Sequence, residues 1–282
     1  MRGPGHSVAG FDCRRTRSQT VLMFAVVVDQ LPGDVAKAAQ GLATALGKTA
    51  YECRPIANAP GGGPVVVSCH ALAPDAEVSA SRLRAAGFET TVVPDTIAQP
   101  VRSFAARSFE LRQEALAVQS LEGSHVVIPY AQVEVLVRGS ELTQETQTST
   151  STTRKLDVGR AVLSGGLMMT RKQKTTRTTT STDSQGFVIV YHALGPPVAL
   201  LEKALLYQSL GPQMQPSRMA NFVYLANRLR QRCERAVWDE RLLRRAAQQQ
   251  LLGATLAADD YLDLAIALVA DSTQRRRQQP AG

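Results

Sequence analysis

The chain has 282 residues, 44% of them hydrophobic and 20% charged, which is the composition of a globular protein and excludes fibrous or wholly disordered classes. Its formal charge of +8 and pI near 9.6 favour anionic partners such as lipid headgroups, nucleic acid or acidic proteins. No apolar run approaches the roughly 18 residues a membrane span needs.

Residues 1–22 are rich in Gly, Arg and Ser, lack periodicity and read as a disordered leader. RRTRSQTVLMFAVVVDQ looks superficially like a secretion signal. Its apolar part spans only residues 21–28, Asp29 ends it, and no small-residue cleavage site follows. The chain is therefore expected in the cytoplasm, with Met23 a candidate initiator. The four cysteines, Cys13, Cys53, Cys69 and Cys233, have neither CxxC nor Cys/His ligand spacing, so no metal is expected. They read as free thiols in a reducing compartment, Cys53–Cys69 being the one pairing to check.

The first unit is read over 23–95. MFAVVVDQ is a short continuous apolar run, as in a buried strand. Asp34 can cap a helix that ends near Gly47, and Thr49 starts a shorter one that stops before Pro55. GGGPVVVSCHA gives a loop and a strand over 65–69. A capped helix over 75–86, with Gly87 just past its end, leads into a last strand over 89–93. The order is β-α-α-β-α-β. That order, with ALGKTAYEC and AEVSASRLRAAGFETTVV, resembles the C-terminal domain of the bacterial ribosomal stalk protein, a fold shared with the adaptor subunit of the Clp protease. The resemblance covers about 70 residues and rests mostly on packing positions: Leu46-Gly47, Leu83, Ala86-Gly87 and the closing strand. It implies a small protein-docking domain. The family's basic translation-factor contacts fall on Ala38 and Gly41 in this chain, so that particular activity is not implied.

Residues 96–107 read as a linker. Over 108–236 the texture changes to short strands: SFEL, ALAVQS, SHVVIPY and AQVEVLVRG. In the last, Val133, Val135 and Val137 are expected on one face, with Gln132, Glu134 and Leu136 on the other. Two Thr-rich stretches then flank an apolar patch. They read as the strands of a hairpin whose long tip is 156–169, with low-complexity disorder as the rival. GFVIVYH and PPVALLEKALLY supply further strands. QPSRMANFVYLANRLRQRCERA is a helix capped by Ser217, with an apolar stripe of Met219, Phe222, Val223, Ala226, Leu229 and Cys233. A run of strands closed by one helix, with VVIPYAQVEVLVRG, resembles bacterial pleckstrin-homology-like domains over about 130 residues. Residues 237–272 suggest terminal helices that dock on the body or on a partner, and 273–282 a disordered basic tail.

The fold class expected is α+β: a small βααβαβ domain, then a mostly antiparallel β-barrel-like domain closed by a helix, with terminal helices. His6, His70, His125 and His192 are scattered away from nucleophiles and carboxylate clusters, so no catalytic residues and no cofactor are assigned. Gly165-Gly166 lacks the GK[ST] of a phosphate loop. Tyr51 and Glu52 either shape a groove or lie on a plain helix face. The candidate binding surface is the hairpin 154–177. Arg154, Lys155, Arg160, Arg171, Lys172, Lys174 and Arg177 stand there against Asp157 alone, a local net of +6. Leu167, Met168 and Met169 lie among them, suited to a membrane interface or an adaptable protein contact. The patch could equally fold back over the barrel. The function expected is a non-enzymatic interaction or adaptor protein that docks a protein partner and an anionic lipid surface. The alternative is a nucleic-acid-binding structural or regulatory protein using the same charge. Partner identity, pathway and oligomeric state stay open.

Overall fold

The structure, a computed structural model, describes residues 23–156 and 170–278, with only the backbone course given for 143–156 and 170–182. It is an α+β protein in which helices cover both faces of each of two sheets.

In the smaller sheet, β1 (Phe24–Gln30) lies between β2 (Val65–His70) and β3 (Glu89–Pro94) and is antiparallel to both. The apolar run in β1 has a physical reason, since the strand is buried on two faces. Val26 and Val28 meet α1 (Val35–Leu46), α2 (Ala50–Ala57) and α3 (Ala73–Ala85). Ala25 and Val27 face the C-terminal helices instead.

Local signals set the helix ends. Asp34 accepts from the N–H groups of Ala36 (2.9 Å) and Lys37 (3.1 Å), and Thr49 forms a capping box with Glu52. At the end of α3 the Phe88 N–H donates to Leu83 O and the Gly87 N–H to Arg84 O, with Gly87 at φ +87. This pair of bonds needs a left-handed residue at that point, which glycine supplies without strain. Two boundaries differ from expectation. Pro55 sits inside α2, which continues to Ala57 because Cys53 and Ala57 are buried and hold the last turn. Helix α3 begins at Ala73 with Pro74 in its first turn, so Asp75 lies inside the helix and does not cap it.

The larger sheet has the order β10-β7-β8-β9-β4-β5-β6. Its strands are β4 (Phe104–Leu111), β5 (Ala115–Ser120), β6 (His125–Pro129), β7 (Val133–Leu156), β8 (Thr170–His192), β9 (Val198–Leu201) and β10 (Val237–Leu242). Pairing is antiparallel except for β10 with β7 and β4 with β9. The segment read as a linker is ordered, as a 3-10 turn over Asp95–Arg102 followed by the start of β4. The sheet is open, with β10 and β6 at its ends, and the expected barrel does not close. Side chains of α4 (Arg218–Arg232) pack in one core with residues of β4–β9.

Ser217 caps α4 as expected, its hydroxyl accepting from Ala220 N at 3.1 Å. The buried stripe is rotated, however. Asn221, Phe222, Leu225, Ala226 and Leu229 point inward, whereas Met219 (65% exposed) and Val223 (36%) point outward. Asn221 is buried because its amide bonds Gln215 N, Gln215 O and Ser217 O, holding the entry loop. In β7 the register shifts between Val133 and Val135, so Val133 joins Leu136 on the α4 side while Val135 and Val137 face the opposite core.

Residues 237–242, expected to be helical, form β10. They are followed by α5 (Arg245–Leu252) and α6 (Ala258–Gln278). The latter covers 273–278, so this part of the expected basic tail is helical. Every residue of α6 from Leu264 to Ala270 is buried, as expected of a helix enclosed on all sides. It lies between the two sheets. Leu264 to Ala270 share one core with Ala25, Val27, Val66 and Val93 of the smaller sheet and with Val135, Val137, Phe187, Ile189 and Ala199 of the larger.

Cys53 and Cys69 are both free and belong to different cores, so the one bridge worth checking is not formed. Among the described residues no helix is long and apolar enough to cross a membrane.

Candidate functional site

Strand β7 carries AQVEVLVRG and the first Thr-rich stretch without a break, and β8 carries the second stretch together with GFVIVYH. Gly139 and Gly186 allow a close approach within these strands. A Cβ on Gly139 would lie 2.2 Å from Cζ of Phe187, and one on Gly186 would lie 2.7 Å from Cε1 of Phe222. Rings cover both positions, and the strands run on.

The neighbours of this hairpin stop early. Strand β10 pairs with β7 only as far as Gly139, and β9 pairs with β8 only from Phe187 to Val190. From Leu142 and Ser184 outward the two strands continue alone to Leu156 and Thr170, through fifteen register positions. At about 3.3 Å per residue that is an extension of roughly 45 Å. Its base is anchored by Arg102, which donates to Glu141 and Asp263 at 2.6 Å each and stacks 6.0 Å from the Phe187 ring. Opposed positions Thr146–Thr180, Thr148–Thr178 and Thr150–Thr176 form a ladder on one face, the threonine pairing that favours antiparallel ribbons.

Of the expected binding residues, the described backbone brings six together on this ribbon. Arg154 is opposite Lys172, and Lys155 is opposite Arg171. Lys174 is opposite Thr152, and Arg177 opposite Ser149. Two adjacent register positions thus carry four cations at the distal end. Like charges directly opposed in an antiparallel ribbon are destabilising. Arg160, Leu167, Met168 and Met169, with the tip 157–169, lie outside the described residues.

Elsewhere polar groups are mostly committed to packing. His70 Nε2 lies 3.1 Å from Ser68 Oγ and 3.0 Å from Ser79 Oγ, a clasp between β2 and α3. Sequence reasoning missed this Ser–His spacing because Ser79 comes from another element. A hydrolytic triad also needs a group orienting the other ring nitrogen, and among the described residues none accepts from His70 Nδ1. Tyr51 is 80% exposed, while the Glu52 carboxylate beside it accepts from Thr49 N at 2.8 Å. That hydrogen bond holds the Glu52 pKa below its usual value. The cleft among Asp29, Glu89, Ser272, Arg275 and Arg276 is only water-sized. Among the described residues no three His, Cys, Asp or Glu side chains are placed to hold a metal. Burial pushes the Cys233 thiol up to about 12, which makes it unreactive.

His192, at the end of β8, is buried and accepts from Leu194 N at 3.2 Å. Burial lowers its pKa below the ordinary 6.5, only partly opposed by the Pro196 carbonyl and Glu134. The unfolded chain therefore takes up this proton more readily than the folded one. The stabilisation is complete above the unfolded value and is lost as pH falls through 6.5 toward the folded value. We expect the wild-type melting midpoint to drop between about pH 7 and 5, and His192→Gln to drop less over that range. Equal pH slopes in calorimetry would refute this.

Comparison with protein-family models, curated proteins and solved structures finds no match.

Proposed function

We propose that the chain is a non-enzymatic interaction protein whose basic ribbon docks on an anionic lipid surface, while the βααβαβ unit offers a separate face to a protein partner. The observation that carries this reading is the register that opposes Arg154 to Lys172 and Lys155 to Arg171, far from the body. Each base near an anionic bilayer adds about 1 kcal/mol of attraction, and a ribbon end reaches such a surface without moving either core. The antiparallel βααβαβ order supports the likeness to the stalk-protein domain. The packing of α4 against β4–β9 of the larger sheet supports the likeness to a pleckstrin-homology-like run of strands with one covering helix.

Sedimentation with phosphatidylserine-containing and neutral vesicles tests the reading. Binding is expected only to anionic vesicles, and Arg171→Glu, Lys172→Glu and Lys174→Glu together are expected to weaken it at least about a hundredfold. Equal binding to neutral vesicles, or no loss in the triple variant, would sink it.

One observation favours a second reading. A two-stranded antiparallel ribbon has the width of the DNA major groove, and this one carries six cations along its described strands. If duplex DNA binds with a steep inverse dependence on salt while vesicles do not, the partner is nucleic acid.

A further inference from the structure

The ribbon leaves two long strand edges open among the described residues: that of β7 beyond Gly139 and that of β8 before Phe187. Two strands alone are marginal in water, and an open edge is a template for a further strand. The charges along the two edges differ. On β7 from 144 to 156, Glu145 stands near the base and Arg154 and Lys155 at the far end, a net of +1, with polar, uncharged residues from 146 to 153 between them; Glu141, just below, is taken by Arg102. On β8 from 170 to 186, Arg171, Lys172, Lys174 and Arg177 face Asp183 alone, a net of +3.

We infer that the β7 edge is a homodimer interface, in which the ribbons of two copies pair antiparallel through residues 144–156 with Thr150 on the two-fold axis. Alternation of outward-facing backbone groups decides which registers are possible. In a symmetric pairing of one edge with itself, residues directly opposite must have the same parity, so their numbers add to an even sum. The sum 300 places Glu145 of each copy opposite Lys155 of the other, twice per dimer. Within one ribbon Lys155 is opposite Arg171 in register, and the second copy brings a carboxylate residue to this position.

Other arrangements are worse. Pairing two β8 edges brings two strands of net +3 into contact, whereas β7 pairing leaves them on the outer edges of a four-stranded sheet. Stacking ribbons in one direction, β7 on the next β8, aligns the distal cations of every copy. Such a contact would also be heterologous, without the closure that two-fold pairing gives.

Light scattering on the full-length protein, without lipid and at low ionic strength, tests the inference independently of the vesicle assay. The expected mass is twice the 30.4 kDa of the chain. Glu145→Lys and Lys155→Glu should each weaken dimerisation about tenfold or more, and the double exchange should restore it. A wild-type monomer up to high micromolar concentration, a dimer unmoved by either single substitution, or a double exchange that remains monomeric would each overturn the assignment. Failure to bind vesicles would leave it standing.

Discussion

Phe187→Ala is expected to lower the thermal midpoint by about 10 °C. Phe187 is fully buried and belongs to the core shared by the larger sheet and α6. Its ring lies against the bare Cα of Gly139 and beneath the Arg102 guanidinium. Truncation removes the transfer energy and leaves a cavity that none of these rigid neighbours can close, at a cost of about 3–5 kcal/mol. For a chain of this size each kcal/mol shifts the midpoint by roughly 2–4 °C. A Cβ on Gly139 collides with the Phe187 ring in the wild type, and once that ring is removed the Leu242 Cβ at 2.9 Å still crowds it. A calorimetric shift under about 3 °C would show that α6 relaxes into the space.

Asp29→Ala is expected to cost about 3 kcal/mol. Asp29 is 4% exposed at the end of β1, where its carboxylate accepts from Arg275 Nη1 and Nη2 at 2.8 Å each and from Thr91 Oγ1 at 2.5 Å. Truncation leaves the Arg275 guanidinium with Asp271 and Thr91 only, and removing one partner of a buried pair leaves an uncompensated charge. The estimate sits at the low end of the usual 3–5 kcal/mol because Arg275 is about one-third exposed and keeps Asp271. Urea denaturation of the single and double variants with Arg275→Met measures the effect. The double variant should be more stable than Asp29→Ala alone, since both charges are then gone. If it is less stable, the pair is not what couples these elements.

Much of the fold was legible in local patterns. Asp34, Thr49 and Gly87 mark their helix ends by mechanisms that act over three or four residues, and the period-2 runs from 115 to 137 announce strands. What could not be read depends on distant partners. Strand β10 looks helical because DERLLRR is charged. In the folded chain Glu240 pairs with Arg138 at 3.0 Å, and Arg241 with Asp239 at 2.6 Å, which lets a charged segment join a sheet. The rotated face of α4 follows from two strand groups packing around Leu225, geometry absent from any window of 18 residues. Gly139 and Gly186 are explained by aromatic rings, Phe187 and Phe222, that come from other elements. Within the candidate site, charge and threonine content were visible. The register that sets cation against cation follows from the pairing of β7 with β8, which spacing alone did not fix.

Helix α6 follows both sheets in the chain and lies between them. During synthesis the inner valines of each sheet therefore wait, wetted, for a segment that emerges after them. Neither half can complete its interior on the ribosome by itself, so consolidation waits until the helix has been synthesised and has emerged. A nascent chain stalled before residue 258 would present two unfinished greasy faces to chaperones, and the released molecule should melt as one unit, with no half surviving the other.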